Sequence, residues 1–171
     1  MAFKTPILHK HKKSTKSTLF VEKENQMINY NTVQEIYTRN FGSETLYKRS
    51  YCDTLAYTEG IMDFQKTLSA FWLVDNIVSY MPQIISNFQK YAQTIYFIDV
   101  KLRQDKSGVI EIYFEDYIDG VYHEHFKVLR QEISFMDLPI QTDAKITTYK
   151  FFLSLNRFEP LQFVLLLPSE Y

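Results

Sequence analysis

The sequence predicts an α+β protein in which short N-terminal helices pack on one face of a C-terminal antiparallel sheet built from hairpins. Apolar residues recur at helical spacing up to about residue 91, and from Thr94 onward their period changes to two. Turn residues separate the alternating segments, as they do between the strands of hairpins. Helices followed by a run of hairpin strands are typical of this fold class.

The predicted helices occupy residues 31–91. Asn31 is the expected N-cap of the first helix, which Gly42 ends. Thr58 is the expected cap of a second helix of about five turns, which Pro82 ends or kinks, and a further short helix is expected over residues 84–91. The apolar stripe of the second helix comprises Ile61, Phe64, Leu68, Phe71, Val74, Ile77 and Met81, and Trp72 is expected in the core.

The predicted strands come next and alternate between apolar and polar residues. They cover residues 96–103, 109–115, 122–128 and 149–155, and a nearly apolar strand at 161–167 follows them. One sheet face should therefore contact the core and the other should face solvent.

The turn at Asp119-Gly120 leaves two registers open. A two-residue loop would pair Glu115 with Glu124, so a three-residue loop that ends at Gly120 is favoured. This loop pairs Ile112 with Phe126, Ile110 with Val128, Glu111 with Lys127, and Glu115 with His123. A similar loop over residues 106–108 pairs Leu102 with Ile112, and Arg103 with Glu111.

Charge divides the chain into a basic tail, residues 1–28, and a single α+β domain, residues 29–171. The first 20 residues hold five lysines and no acidic residue, whereas the rest of the chain holds all 20 acidic residues and 14 basic ones. With 46% hydrophobic residues, the chain is too apolar for global disorder.

Cellular location is predicted from what the sequence lacks. A single cysteine, Cys52, excludes an intrachain disulfide and a cysteine-based metal cluster. No apolar run is long enough for a membrane-spanning helix, and the N-terminus lacks the apolar core of a secretory signal. The sequence therefore favours a cytoplasmic protein without membrane association.

Several stretches together resemble an uncharacterised family that is common in cyanobacteria. They are Phe41-Gly42-Ser43-Glu44 with Tyr47, Tyr57-Thr58-Glu59-Gly60, Ala70-Phe71-Trp72-Leu73-Val74-Asp75-Asn76-Ile77, and Leu166-Leu167-Pro168-Ser169-Glu170-Tyr171. The resemblance covers about residues 38–171. It implies a small bacterial domain, and it assigns neither an activity nor a site residue.

Three groups of residues are candidate sites. His123 and His125 share a strand face, and with Glu115 opposite His123 they could ligate a metal ion. Arg103, Glu111, Tyr113 and Lys127 share the exposed sheet face and could bind a protein partner. Lys10, Lys12, Lys13 and Lys16 in the tail could contact nucleic-acid phosphates.

No catalytic constellation, phosphate-binding loop or cofactor motif occurs. The first hypothesis is therefore a non-catalytic, intracellular protein-interaction module that needs no cofactor. The alternatives are a nucleic-acid-associated accessory protein that uses the tail, and a metal-dependent hydrolase centred on His123 and His125. Oligomeric state is open.

Overall fold

A computed structural model describes residues 29–118, 121–159 and 161–171, with the backbone alone for 116–118 and 121–125. Its elements are α1 (Tyr30–Arg39), β1 (Tyr47–Lys48), β2 (Leu55–Tyr57), α2 (Glu59–Leu68), α3 (Phe71–Tyr91), β3 (Ile95–Arg103), β4 (Gly108–Ile118), β5 (Val121–Ile133), β6 (Ile146–Leu155), β7 (Phe163–Leu166) and a 3₁₀ helix (Pro168–Glu170). The tail and the Asp119-Gly120 turn lie outside the described residues.

The described strands form one seven-stranded sheet in the order β1-β2-β7-β6-β3-β4-β5. Neighbouring strands are antiparallel except β2 and β7, which pair in parallel. The predicted α+β class is confirmed. The sequence analysis missed β1 and β2, which together contribute only five residues to the sheet.

The first helix begins two residues earlier than predicted. Asn29, rather than Asn31, is the N-cap, and its side-chain oxygen accepts hydrogen bonds from the backbone N–H groups of Asn31 and Thr32 at 2.9 and 3.3 Å. The helix buries Val33 and Ile36 and ends at Arg39.

The predicted five-turn helix is in fact two helices. Thr58 caps α2 as predicted, but the helix stops at Ser69, whose φ of 54° is left-handed, and α3 begins at Phe71. The change of direction leaves Phe71 44% exposed, although it was predicted in the apolar stripe. Pro82 does not end α3, which continues to Tyr91, so the separate helix expected after Pro82 is the last part of α3.

The hydrophobic core lies between the three helices and one face of the sheet. Phe64 of α2 meets Phe151 of β6 edge to face, with ring centroids 5.2 Å apart. Phe88 of α3 meets Phe163 of β7 in the same way at 5.8 Å. Trp72 packs against this core but is itself only partly buried. Edge-to-face aromatic pairs stabilise such a core beyond the area they bury.

The β3–β4 hairpin is tighter than predicted. Leu102 pairs with Gly108 instead of Ile112, and Glu111 pairs with Asp99 instead of Arg103. The turn lies over residues 104–106, since the Arg103 N–H bonds to the Ser107 carbonyl at 2.8 Å. Lys106, with φ of 62°, takes the left-handed position at the end of this turn, whereas the predicted loop ended at Gly108.

The β4–β5 pairing also differs from the favoured register. Ile118 pairs with Val121, and two irregularities each insert one extra residue into β5. Four predicted pairs are therefore wrong: Ile112 pairs with Leu129, Ile110 with Gln131, Glu111 with Arg130, and Glu115 with His125.

Within the described ranges, no helix combines the length and the apolar character needed to cross a membrane.

Candidate binding face of the sheet

The sheet face opposite the helices, called the outer face below, carries a compact group of charged side chains. They project from the three neighbouring strands β3, β4 and β5. The group, called the ion-pair cluster below, consists of Asp99, Lys101, Glu111, Lys127 and Arg130. Strand alternation places Asp99, Lys101, Glu111 and Lys127 on one face, and the extra residue at position 128 of β5 brings Arg130 to the same face.

Glu111 is the centre of the ion-pair cluster. Its Oε2 lies 2.6 Å from the Lys101 Nζ, and its Oε1 lies 2.8 Å from the Lys127 Nζ and 3.3 Å from the Arg130 Nε. Hydrogen bonds from Lys101 and Lys127 lower the pKa of the Glu111 carboxyl to about 2. The same contact with Glu111 raises the pKa of Lys101. Glu111 is thus held as a carboxylate, and its three partners are held in place.

The ion-pair cluster is layered, with the carboxylates underneath and the cations above. The side chains of Asp99 and Glu111 are only 10% and 13% exposed. Those of Lys101, Lys127 and Arg130 are 35%, 46% and 44% exposed. A molecule that approaches the cluster therefore meets cationic groups first.

A line of aromatic side chains, called the aromatic row below, crosses the outer face beside the ion-pair cluster. Tyr113 stacks on Phe97 with centroids 5.4 Å apart, and Phe97 meets Phe152 edge to face at 5.2 Å. Tyr171 continues the row with its ring 4.9 Å from that of Phe152, and it is 65% exposed. The row joins β4, β3 and β6 to the C-terminal segment.

Tyr113 links the aromatic row to the ion-pair cluster. Its hydroxyl lies 3.5 Å from the Asp99 Oδ1, and the side chain is almost fully buried. Burial, with the nearby negative charge of Asp99, raises the pKa of the Tyr113 phenol. The phenol is therefore a neutral hydrogen-bonding group at physiological pH.

The structure brings together three of the four residues predicted to bind a partner. Glu111, Tyr113 and Lys127 meet around the ion-pair cluster, whereas Arg103 lies at the end of β3 with its guanidinium 3.2 Å from the Ser107 hydroxyl. Sequence reasoning missed Arg130 because the extra residue at position 128 reverses the alternation.

The proposed metal ligands are not assembled by the described side chains. Glu115 stands opposite His125 in the ladder, and not opposite His123 as predicted. The two histidine side chains lie outside the description, as do the four tail lysines. Among the described residues, no group of three or more potential ligands is arranged to hold a metal ion. Metal binding and tail-mediated nucleic-acid binding remain predictions.

A second polar site joins two of the motifs noted in the sequence, at the N-terminus of α2. One Glu170 carboxylate accepts hydrogen bonds from the Thr58 hydroxyl at 2.6 Å and from the N–H groups of Gly60 and Leu167 at 3.1 and 2.9 Å. A negative charge is favourable there because the first N–H groups of a helix have no partner within the helix. These hydrogen bonds hold the C-terminal segment against the N-terminus of α2.

These features define an α+β protein whose mostly antiparallel sheet has one helix-covered face and one face with an ion-pair cluster and an aromatic row. The chain belongs to a family of unknown function, described as "Family of unknown function (DUF6876)", whose model matches residues 31–171. No curated protein and no solved structure matches the chain. The expected membership of an uncharacterised family is confirmed, and its cyanobacterial distribution remains a prediction.

Proposed function

We propose that the protein is a non-catalytic protein-interaction module whose outer face binds an acidic, extended segment of a protein partner. One observation carries the proposal, namely the layering of charge in the ion-pair cluster. Lys101, Lys127 and Arg130 present cationic groups to solvent, and the less exposed carboxylate of Glu111 fixes their positions. Complementary charge of this kind steers an acidic partner and sets its register.

The aromatic row supports the same proposal. Phe152 is half-buried and Tyr171 is exposed, so both rings offer apolar surface directly beside the cations. Aromatic side chains with polar neighbours are enriched where proteins bind one another. A segment that alternates carboxylates with apolar side chains would match both features.

A protein segment suits this face better than a nucleic acid does. Asp99 and Glu111 lie within the ion-pair cluster, and Glu132 pairs with Arg130 at its rim. These carboxylates would repel a continuous series of phosphates. Spaced carboxylates in a peptide can reach the exposed cations and avoid the acidic positions.

Selection of short random peptides on the immobilised full-length protein tests the proposal, followed by affinity measurement through fluorescence anisotropy. We expect the selected peptides to be enriched in Asp and Glu, with affinity that falls as salt rises. Lys127→Glu and Arg130→Glu should each weaken binding about tenfold, since a charge-assisted hydrogen bond contributes about 1.5–3 kcal/mol.

Lys66→Glu is the matched control, because Lys66 is an exposed lysine on α2 and lies away from the outer face. Its affinity should equal that of the unmodified protein. Selected peptides without acidic residues, or equal weakening by Lys66→Glu, would contradict the proposal. Tighter binding of a single-stranded oligonucleotide than of any selected peptide would instead favour the nucleic-acid alternative.

A further inference from the structure

A small cavity opens at the edge of the outer face where β3 begins and β6 ends. Its volume is about 210 Å³, below the roughly 300–1,000 Å³ of sites for drug-sized ligands. It is lined by Thr94, Ile95, Ser154, Leu155, Arg157 and Tyr171. Ile95 and Ser154 are cross-strand partners, so the sheet itself forms the floor of the cavity.

Within the described residues, the polar side chains of this cavity are not engaged by other side chains. In the part of the chain that the structure describes, the hydroxyls of Thr94, Ser154 and Tyr171 make no side-chain hydrogen bond, and the guanidinium of Arg157 makes no ion pair. Three other arginines form ion pairs, namely Arg39 with Asp63 at 2.7 Å, Arg49 with Asp75 at 3.0 Å, and Arg130 with Glu111 at 3.3 Å. Three residues with hydroxyl groups and one arginine without an ion pair to a described residue therefore line a single small space.

This combination of donors matches an oxyanion. A guanidinium offers N–H groups in a planar fork that fits the oxygens of a carboxylate or a phosphate, and each hydroxyl can donate one further hydrogen bond. No acidic side chain lines the cavity to compete for Arg157. We propose that the cavity around Arg157 binds the carboxylate or phosphate group of a small molecule.

This inference goes beyond the proposed function, since it concerns a small ligand in place of a protein segment. The cavity lies beside the aromatic row and shares Tyr171 with it. It uses none of the residues of the ion-pair cluster. A small-anion titration therefore tests the cavity without reference to peptide binding, and failure of either proposal leaves the other standing.

The test is a titration of the full-length protein with inorganic phosphate and, separately, with acetate, followed through backbone amide shifts in ¹H–¹⁵N NMR spectra. We expect saturable shifts confined to residues 94–95, 154–157 and 171 for at least one of the two anions. The anion that binds more tightly identifies the source of the oxyanion as phosphate or carboxylate.

Variants of the cavity give the decisive comparison. Arg157→Gln should weaken binding about 10- to 100-fold, because it removes a charge-assisted contact. Arg157→Lys should bind with intermediate affinity, since it keeps the charge and loses the planar fork. Arg157 is exposed, so both variants should otherwise keep the spectrum of the unmodified protein.

Lys66→Gln is the control for the loss of one exposed positive charge, and it should bind like the unmodified protein. The proposal is overturned by non-saturable shifts with both anions, which show only general ionic effects. It is equally overturned if Arg157→Gln binds as tightly as the unmodified protein, or if Lys66→Gln loses as much affinity.

Discussion

Gly60 lies where the N-terminus of α2 contacts the C-terminal segment of the chain. A Cβ atom at this position would lie 2.7 Å from the Cδ and Oε2 atoms of Glu170, which is closer than a Cβ atom normally comes to a non-bonded heavy atom. The absence of a side chain therefore lets the Glu170 carboxylate reach the N-terminus of α2. This contact gives a physical reason for the Thr58-Glu59-Gly60 sequence and for the glutamate near the C-terminus, two features on which the family resemblance rests.

Gly60→Ala should destabilise the protein by about 1 kcal/mol or more, because the new methyl group displaces the Glu170 carboxylate from its three hydrogen bonds. In a Glu170→Ala background the same change should be neutral or stabilising by up to about 1 kcal/mol, since alanine is the better helix former. Urea unfolding of both single variants and the double variant measures this coupling.

Additive effects in that cycle would contradict the explanation, because additivity would mean that Gly60 and Glu170 act independently. Thr67→Ser serves as the control substitution. It lies on the same helix and keeps the hydroxyl that bonds to Asp63 at 3.2 Å. Its effect should be the same with or without Glu170.

At the scale of elements, periodicity predicted the helices and most strands but not where their directions change. The apolar residues of α2 and α3 follow one continuous helical spacing, yet Ser69 interrupts it. The N–H groups of Ser69 and of Ala70 both bond to the Gln65 carbonyl, which closes the end of α2. Serine is not the residue that normally marks such an end, so the sequence carried no recognisable signal there.

Ser69→Gly should stabilise the protein by about 0.5–1 kcal/mol, because glycine adopts the left-handed conformation without the steric cost that serine bears. Ser86→Gly is the matched control, since Ser86 is exposed within α3. That change should destabilise by about 0.5–1 kcal/mol. Thermal unfolding gives both values, and the same sign for the two variants would contradict the assignment of Ser69 as the end of α2.

Alternation of apolar and polar residues does not by itself determine the strand registers. The extra residues in β5 shift its pairing with β4 by one position at each irregularity, and neither extra residue is a glycine that would indicate a bulge. The parallel pairing of β2 with β7 was missed for a different reason. A three-residue strand is too short to show a period, and it becomes recognisable only through its partner.

At the scale of the whole molecule, the outer face assembles from residues far apart in the sequence. Alternation alone placed Glu111, Tyr113 and Lys127 on a common face. The contacts of Glu111 with its cationic partners depend on the registers of β3 with β4 and of β4 with β5. The aromatic row depends on the pairing of β3 with β6 and on the C-terminal segment, which brings Tyr171 against Phe152. The contact between Phe97 and Phe152 joins positions 55 apart in the sequence, so no local pattern reveals it.

The ion-pair cluster should make the stability of the whole molecule depend on pH in the acidic range. The pKa of Glu111 is about 2 in the folded protein, against an ordinary value of 4.5. As the pH falls, the unfolded chain binds a proton at this residue before the folded chain does. The stabilisation from Glu111 is therefore complete above about pH 5, declines below its ordinary pKa, and is lost as the pH approaches 2.

Glu111→Gln should be less stable than the unmodified protein by on the order of 1–3 kcal/mol at neutral pH, because the variant lacks the charge that its cationic partners contact. The difference should shrink towards zero as the pH falls from about 5 to about 2, since protonation then neutralises Glu111 in the unmodified protein as well. Urea unfolding across this range measures the difference.

Asp143→Asn, at an exposed position away from the ion-pair cluster, should follow the unmodified protein at every pH. If the gap between Glu111→Gln and the unmodified protein stays constant across the acidic range, the ion pairs of Glu111 do not stabilise the fold, and another property of the side chain must explain the loss.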